Sequence, residues 1–257
     1  MSALFSITDP VTLVLLVASA LAAGLMDSIA GGGGLITVPM LLATGLPPSQ
    51  ALATNKLQAC FGSGTALIRY SAAGLVPRAE VVPAVAFTAV GAVAGTLTVR
   101  FLPAGWLQAL IPALLVVIFF YLLFKSEWGT EARPAKWKSL PFYAVFGCTL
   151  GFYDGFLGPG TGTFWTVALI GLLGHGLVKA TAQTKVANFT SNVVSLAVFA
   201  LLGQVLWGLG LLMGVSQALG ARWGSKLAMT RGAKFIRWVF LAVVAATLAK
   251  LLWTAVT

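Results

Sequence analysis

Charged residues are scarce in this chain of 257 residues. Aspartate, glutamate, lysine and arginine together make up 9 % of it, against about a quarter of an ordinary soluble domain. No charge occurs at 81–99 or at 186–221, and a helix that crosses a bilayer needs about 20 mainly apolar residues. The composition excludes a soluble domain, which could not cover its surface, and predicts an all-α integral membrane protein.

Histidine and cysteine are almost absent. His175 is the single histidine, and Cys60 and Cys148 both lie inside apolar segments. This excludes a histidine-rich metal site and indicates two packing cysteines rather than a disulfide. The sequence offers no metal-ligand cluster and no nucleophile beside a base. We therefore predict no metal, no cofactor and no enzymatic activity.

Basic residues outnumber acidic ones, which gives a formal net charge of +10. They fall in short stretches between apolar segments rather than on one face, as expected for loops on the cytoplasmic side of a membrane. Their expected contact is with the anionic headgroups of the bilayer. A nucleic acid is not expected as a partner.

Apolar length and breaker residues divide the chain into two sets of five segments. A polar linker at 125–139 separates a first membrane repeat, 1–124, from a second, 140–257. The second segment of each set is too short to cross fully and follows a glycine-rich break, so it is predicted to be a half-helix. The segments are 11–30, 33–46, 51–72, 81–101 and 104–124, then 140–157, 162–173, 178–202, 205–228 and 234–255.

The two sets align with each other. Asp27 meets Asp154 at an offset of 127 residues, and Lys56 meets Lys185 at an offset of 129, together with several glycines. Two aspartates and two lysines in register within apolar segments are hard to produce by chance. The chain is therefore predicted to contain an internal repeat.

The loops predict the orientation. The linker and the stretch 222–237 are rich in lysine and arginine and should face the cytoplasm, whereas the uncharged connection at Gly203-Gln204 should face out. Both termini then lie outside and the repeats are inverted, with Arg100 near the outer surface as an exception. Inverted repeats with glycine-interrupted short segments are typical of secondary transporters, although a channel can share this layout.

Glycine-rich breaks precede both half-helices, at 31–34 and at 158–162. Glycine allows the backbone to approach a ligand closely, and a helix beginning there presents unpaired N–H groups and the positive end of its dipole. Such N-termini bind anions. We predict that the two converge on an anion near the midplane; tight helix packing is the structural alternative.

Asp27 and Asp154 each lie just before a break and are two of only six acidic residues. A carboxylate inside a bilayer is usually functional. We expect the pair either to couple transport to protons or to organise the site by capping the half-helices. A free carboxylate would repel an anion, so direct contact with the substrate is not expected.

Lys56 and Lys185 lie about two turns into the third segment of each set. Each either attracts an anion in a water-filled cavity or extends its stem toward the membrane surface. Asn55, Asn188 and Asn192 belong to polar stripes on the same segments, which face a cavity or a partner helix rather than lipid.

Thr161 and Thr163, within and just after the second break, offer hydroxyls to a ligand. Trp165 is the tryptophan expected to line the site. The predicted substrate-binding residues combine the breaks with the polar stripes: Gly32, Gly33, Gly34, Asn55, Lys56, Gly160, Thr161, Gly162, Thr163, Lys185, Asn188 and Asn192.

Nearly the whole chain resembles the sulfite exporter TauE/SafE family, also called the toluene-sulfonate uptake permease family. The resemblance rests on DSIAGGGGLITVP followed by GLPPSQALATNKLQA, and on GFYDGFLGPGTGTF followed by KATAQTKVANFTSN. It implies a multi-pass permease of the bacterial inner membrane that moves sulfite, organosulfonates, related sulfur oxyanions or some organic acids.

We therefore expect a secondary transporter of a small anion, working by alternating access around a midplane site, with protons as a possible coupling ion. Sulfite or a sulfonate is favoured by the resemblance. The alternatives are a passive anion channel and a transporter of a small organic carboxylate. A transporter should saturate and show counterflow, whereas a channel should conduct.

Overall fold

The computed structural model describes residues 9–103, 105–106 and 132–256. The described part of the chain is helical, without β-strands. Almost all of the predicted segment 104–124, and residues 125–131 of the linker, lie outside the described residues. The helices are α1 (Pro10–Ala30), α2 (Gly34–Leu42), α3 (Pro48–Ala72), α4 (Arg78–Val99), α5 (Ser139–Phe142), α6 (Cys148–Phe156), α7 (Thr161–Leu172), α8 (Leu177–Leu201) and α9 (Trp207–Val256).

Local chemistry explains several helix boundaries. α1 begins at Pro10, because Asp9 caps it by accepting a hydrogen bond from the Thr12 N–H at 2.8 Å. It ends at Gly31, whose positive φ of 80° lies in the left-handed region that only glycine adopts readily. Gly160 has a φ of 81° just before α7. Both breaks therefore contain a backbone conformation that requires glycine.

The two predicted half-helices are short in the structure. α2 has 9 residues and α7 has 12, which correspond to about 14 and 18 Å at 1.5 Å per residue. Both are shorter than the hydrocarbon core of about 30 Å. Neither is therefore long enough to cross a bilayer.

Among the described residues, two helices are both long and apolar enough to cross a bilayer, at Pro10–Ile29 and Arg78–Val99. α3 and α8 have 25 residues each and reach about 37 Å, but polar residues lower their mean hydropathy. Those polar residues are buried, and the two helices pack against each other. α3 and α8 therefore form the polar centre of the fold.

The structure differs from the predicted segments in two places. Segment 140–157 is interrupted by a π-helical turn at Tyr143–Gly147, between α5 and α6. The break predicted between 205–228 and 234–255 is wrong, because α9 runs through it without interruption. The intervening residues, 229–233, include Met229, Arg231 and Ala233, which favour helix, and no proline. The charges that mark a loop by the orientation rule are therefore compatible with a helix.

Glycines bring two helix pairs into very close contact. Gly91 and Gly95 of α4 face the backbone of Cys148 and Phe152 in α6, where a Cβ atom would overlap the carbonyl oxygens. Gly220 and Gly224 of α9 face Leu21 and Leu25 of α1 in the same way. These two glycines align with Gly91 and Gly95 at the offset of 129 residues, and the two leucines align with the Cys148 and Phe152 positions at the offset of 127. Small residues let membrane helices approach closely, and glycines at equivalent positions have this effect in both helix pairs.

Candidate functional site

The two glycine-rich breaks meet face to face. A Cβ atom added to Gly31 would lie 2.5 Å from the Cα of Gly162, and one added to Gly34 would lie 3.3 Å from the Cα of Pro159. Only glycine permits the first of these approaches. The N-terminal ends of α2 and α7 are therefore brought together, as the sequence predicted.

Two ion pairs cross between the sequence-defined halves beside these breaks. The Lys56 ammonium on α3 lies 2.7 Å from Asp154 Oδ1 and donates to the Asp154 carbonyl oxygen at 2.5 Å. The Lys185 ammonium on α8 lies 3.5 Å from Asp27 Oδ2 and donates to the Asp27 carbonyl oxygen. Each lysine thus binds the aspartate of the other half.

The lysines are deeply buried. The side chain of Lys56 is 2 % exposed and that of Lys185 is 0 % exposed, so neither extends toward the membrane surface. A buried ammonium is tolerated when it is paired and hydrogen-bonded. Two lysines and two aspartates leave this group formally neutral, so the lysines are not free positive charges for an anion in this conformation.

The aspartates do not cap the half-helices. The N-caps of α2 and α7 are Gly33 and Gly160, and neither helix has a side-chain capping hydrogen bond. The Asp27 and Asp154 carboxylates instead bind lysines. A paired ammonium satisfies a buried carboxylate better than a neutral N–H does, which explains why the capping alternative is wrong.

The two ion pairs have different surroundings. Ser191 on α8 donates a hydrogen bond to Asp154 Oδ2. The corresponding position in the first half is Gly62, beside which the Gln217 side chain lies. Asp27 therefore lacks the equivalent serine hydrogen bond, and its side chain is 13 % exposed against 6 % for Asp154.

Buried amides surround the ion pairs. Asn55 Oδ1 accepts hydrogen bonds from Thr37 at 2.6 Å and from Gln58 at 2.9 Å. Asn192 donates to Ser63 at 3.4 Å. Within the described part of the chain, the Oδ1 of Asn188 and the Oε1 of Gln217 have no hydrogen-bond partner. These oxygens are acceptors, whereas the NH2 group of the same side chains is the part that can donate hydrogen bonds to an anion.

A small cavity of about 30 Å³ lies between these groups. It has room for about two water molecules and is too small for an anion with a sulfur and several oxygens. Binding such an anion requires the surrounding helices to move apart. Its lining residues are Asp27, Gly31, Gly34, Asn55, Lys56, Ala59, Asp154, Gly158, Gly160, Thr161, Gly162, Asn188, Asn192 and Gln217.

Most predicted site residues line this cavity, but four do not. Gly32, Gly33, Thr163 and Lys185 are buried outside the lining, and Lys185 reaches the site through Asp27. Trp165 is not in the lining either. Its ring packs against Phe142 and Tyr143, with centroids 6.3 and 6.1 Å away. The expectation that Trp165 lines the site is therefore wrong, because its large apolar surface is buried in a core cluster.

Sequence reasoning missed Ser191 and Gln217. Ser191 lies on the stripe of Asn188, Asn192 and Ser195, since it comes three residues after Asn188 and four before Ser195. Gln217 is a polar residue within an uncharged apolar segment, which is itself a signal of function. The sequence thus marks both residues as candidates, but only the tertiary structure shows that Ser191 contacts Asp154 and that Gln217 lines the cavity.

A second polar cluster lies at the start of α4, apart from the cavity. Glu80 accepts a hydrogen bond from Tyr143 at 2.7 Å and lies 3.0 Å from His175 Nε2. Gln183 donates to the Tyr143 hydroxyl at 2.9 Å. Three of the corresponding positions in the other half are leucines, Leu16, Leu46 and Leu209, which lie in one apolar cluster. The two ends of the molecule therefore differ.

In the described residues, no group of three or more His, Cys, Asp or Glu side chains is placed to hold a metal ion.

Comparison with known proteins gives a consistent result. The family model described as sulfite exporter TauE/SafE matches residues 16–251. The chain is 44 % identical over 245 residues to "Probable membrane transporter protein YfcA" of Escherichia coli strain K12, covering 95 % of this chain and 91 % of that protein. It is 45 % identical over 225 residues to "Probable membrane transporter protein ORF9" of a Sinorhizobium species, covering 88 % and 86 %. A "Probable membrane transporter protein" of Haemophilus influenzae is 42 % identical over 215 residues, covering 84 % of each chain. No solved structure matches the chain significantly.

Proposed function

Because the chain belongs to the sulfite exporter TauE/SafE family, we propose that this membrane protein is a secondary transporter of a small anion. Sulfite, an organosulfonate or a related sulfur oxyanion is the substrate class. The bacterial inner membrane is its location, with both termini on the periplasmic side. Bacterial relatives that are named as membrane transporters support this assignment.

The proposed architecture is two inverted repeats, 1–124 and 140–257, joined by the cytoplasmic linker 125–139. Two pairs of matching contacts and the meeting of the two breaks support it. The glycine contacts of α4 with α6 correspond to those of α9 with α1, the two breaks face each other, and each lysine pairs with the aspartate of the opposite half. An inverted repeat provides two related halves that can rock around one site.

The crossed ion pairs are the observation that carries the proposed mechanism. An anion that enters the site competes with the Asp27 and Asp154 carboxylates for the two ammonium groups. Protonation of an aspartate removes that competition and frees its lysine for the anion. A proton and an anion then bind together, and the charge buried in the bilayer stays low.

The amide donors and the half-helix N-termini complete the proposed site. Asn55, Asn188 and Gln217 surround the cavity, and α2 and α7 direct their N-terminal ends toward it. A sulfite or sulfonate group has three oxygens, which suits several convergent donors. The cavity of about 30 Å³ favours an occluded transporter over an open anion channel. A small organic carboxylate is the alternative substrate, because its oxygens can accept hydrogen bonds from the same donors.

Flux into proteoliposomes tests this function. Purified protein is challenged with sulfite, thiosulfate, sulfoacetate, taurine and simple carboxylates, with and without a pH gradient. We expect saturable uptake and counterflow of a sulfur oxyanion, stimulated by the gradient. Conductance without saturation would identify a channel instead. An absence of flux for every anion, from protein shown to be folded and inserted, would contradict the proposal.

Asp27→Asn is expected to abolish the stimulation of uptake by a pH gradient while counterflow at equal pH persists. Asn cannot take up a proton, and Asp27 is the carboxylate held at the longer distance from its lysine, 3.5 Å. The measurement compares gradient-driven uptake with counterflow in the same vesicles. Asp154→Asn is the matched variant and should lose both activities, because Asp154 is bound by Lys56 and Ser191. A full response of Asp27→Asn to the gradient would exclude Asp27 as the coupling group.

A further inference from the structure

A second, larger cavity lies at one end of α4 and α8. Its volume is about 320 Å³, and its lining includes Arg100, Ser49 and Gln204, with Val99 and Phe199 among the apolar members. Ser49 donates a hydrogen bond to Gln204 Oε1 at 2.9 Å. The cavity therefore combines a guanidinium group with neutral polar groups, and it is about ten times larger than the central one.

Arg100 is unusual for its place in the chain. It lies at the end that the uncharged Gly203-Gln204 connection assigns to the outer side, where basic residues are uncommon. None of the ion pairs among the described residues involves Arg100. A guanidinium without a carboxylate partner in a polar cavity keeps its donors available for an anion.

A polar track leads from this cavity toward the central site. Arg100 and Thr96 lie one turn apart on α4, and Phe199, Ser195 and Ser191 lie on successive turns of α8. Thr96 donates to Ser195 at 2.9 Å and lies 3.1 Å from the Gly155 carbonyl oxygen, next to Asp154. A little over two turns of helix, about 12 Å, therefore separate Phe199 from the serine that binds Asp154.

Two of the apolar side chains that line the cavity are buried. Val99 and Phe199 are buried, at 4 % and 1 % exposure, and both line the cavity. Movement of α4 against α8 would separate them, together with the Thr96–Ser195 hydrogen bond. The Val99 and Phe199 side chains and the Thr96–Ser195 hydrogen bond thus lie along α4 and α8 between the large cavity and Ser191, which binds Asp154 in the lining of the central cavity.

We infer that the Arg100 cavity is a capture site for the transported oxyanion, distinct from the central site and placed before it. The ligand is a small sulfur oxyanion such as sulfite or a sulfonate. Two of its oxygens accept the paired N–H donors of the guanidinium, and a third faces Ser49 and Gln204. This inference rests on the proposed function, and it adds a second binding position and the residue that defines it.

Arg100 also has a structural role in α4, which an experiment must distinguish from anion binding. It is the C-cap residue of α4, where a positive charge stabilises the helix dipole. A purely structural Arg100 would affect thermal stability and the maximal rate, and would leave the KM unchanged. Arg100→Lys keeps the charge at the helix end and loses only the forked donor geometry.

The experiment measures sulfite binding by calorimetry and sulfite uptake in proteoliposomes for wild type, Arg100→Gln, Arg100→Lys and Arg78→Gln. Arg78 is the control, because it is exposed at the other end of the same helix and its substitution changes the net charge equally. We expect Arg100→Gln to raise the KM and the sulfite Kd by about three- to tenfold, which lies between the loss of an exposed ion pair and that of a buried charge-assisted hydrogen bond, because Arg100 lines a cavity but is exposed. Arg100→Lys should lie between Arg100→Gln and wild type, Arg78→Gln should match wild type, and the maximal rate should stay within about twofold.

Each other result has a defined meaning. An unchanged KM and Kd in Arg100→Gln, in a protein whose wild type transports sulfite, would overturn the capture site alone. A lower melting temperature and maximal rate with an unchanged KM would assign Arg100 a structural role only and overturn it as well. If wild type binds sulfite without transporting it, the proposed function fails, and the Kd of Arg100→Gln still decides the capture site. If wild type neither binds nor transports any tested anion, both fail.

Discussion

Lys56→Met is expected to abolish anion transport and to lower the free energy of unfolding by about 3–5 kcal/mol. The substitution removes the ammonium 2.7 Å from Asp154 Oδ1 and leaves a buried carboxylate whose remaining side-chain donor, among the described residues, is Ser191. An uncompensated charge in the interior is far more unfavourable than a lost contact. Uptake in proteoliposomes and denaturation in detergent measure the two effects.

The double variant Lys56→Met/Asp154→Asn separates stability from transport. It has no unpaired buried charge, so most of the lost stability should return, while transport should not, because the ammonium that we propose binds the anion is still absent. Lys185→Met is the matched substitution in the other pair. Its longer distance of 3.5 Å predicts a smaller loss of stability. Wild-type flux in both lysine variants would exclude the lysines from substrate binding.

Gly31→Ala is expected to lower the free energy of unfolding by about 2–5 kcal/mol and to prevent transport. Two effects add. Alanine is strained at a φ of 80°, and its Cβ would lie 2.5 Å from the Cα of Gly162, so the two breaks would have to separate. The melting temperature and the uptake rate of the purified variant test this.

Gly45→Ala is the control for backbone strain. Gly45 has a φ of 81°, almost equal to that of Gly31, but a Cβ added to it meets nothing within 4 Å. Its substitution should therefore cost only the strain, about 1–2 kcal/mol, and leave transport intact. The difference between the two losses in the free energy of unfolding measures the contribution of the close contact between the breaks. Equal losses at the two glycines would show that this approach contributes nothing to stability.

Several features followed from local sequence alone. The scarcity of charge predicted a membrane protein, and the family match and transporter-named relatives agree with it. The breaks predicted short helices, and α2 and α7 are short, because Gly31 and Gly160 adopt backbone conformations that end or precede a helix. Boundaries such as Pro10 and Pro48 were predictable within three residues, since proline and glycine act on the residues next to them.

Other features depended on residues far apart in the chain. The sequence marked Lys56 and Asp154 as important, but not as partners, because 98 residues separate them, and 158 separate Lys185 from Asp27. Capping was an equally reasonable role for the aspartates until the lysines were found beside them. Trp165 near a predicted site was equally ambiguous, because the side of α7 that packs against Phe142 is set by neighbouring helices.

The sequence by itself thus determined the class of environment, the positions of the breaks and the set of buried polar residues, because composition and backbone preference act locally. The tertiary structure decided which lysine binds which aspartate, how small the cavity between the breaks is, and that Arg100 opens onto a separate cavity. These follow from the packing of α3 against α8 and of α4 against α6. Buried charges must be paired wherever the fold places them, and only the folded chain determines which opposite charge lies within reach.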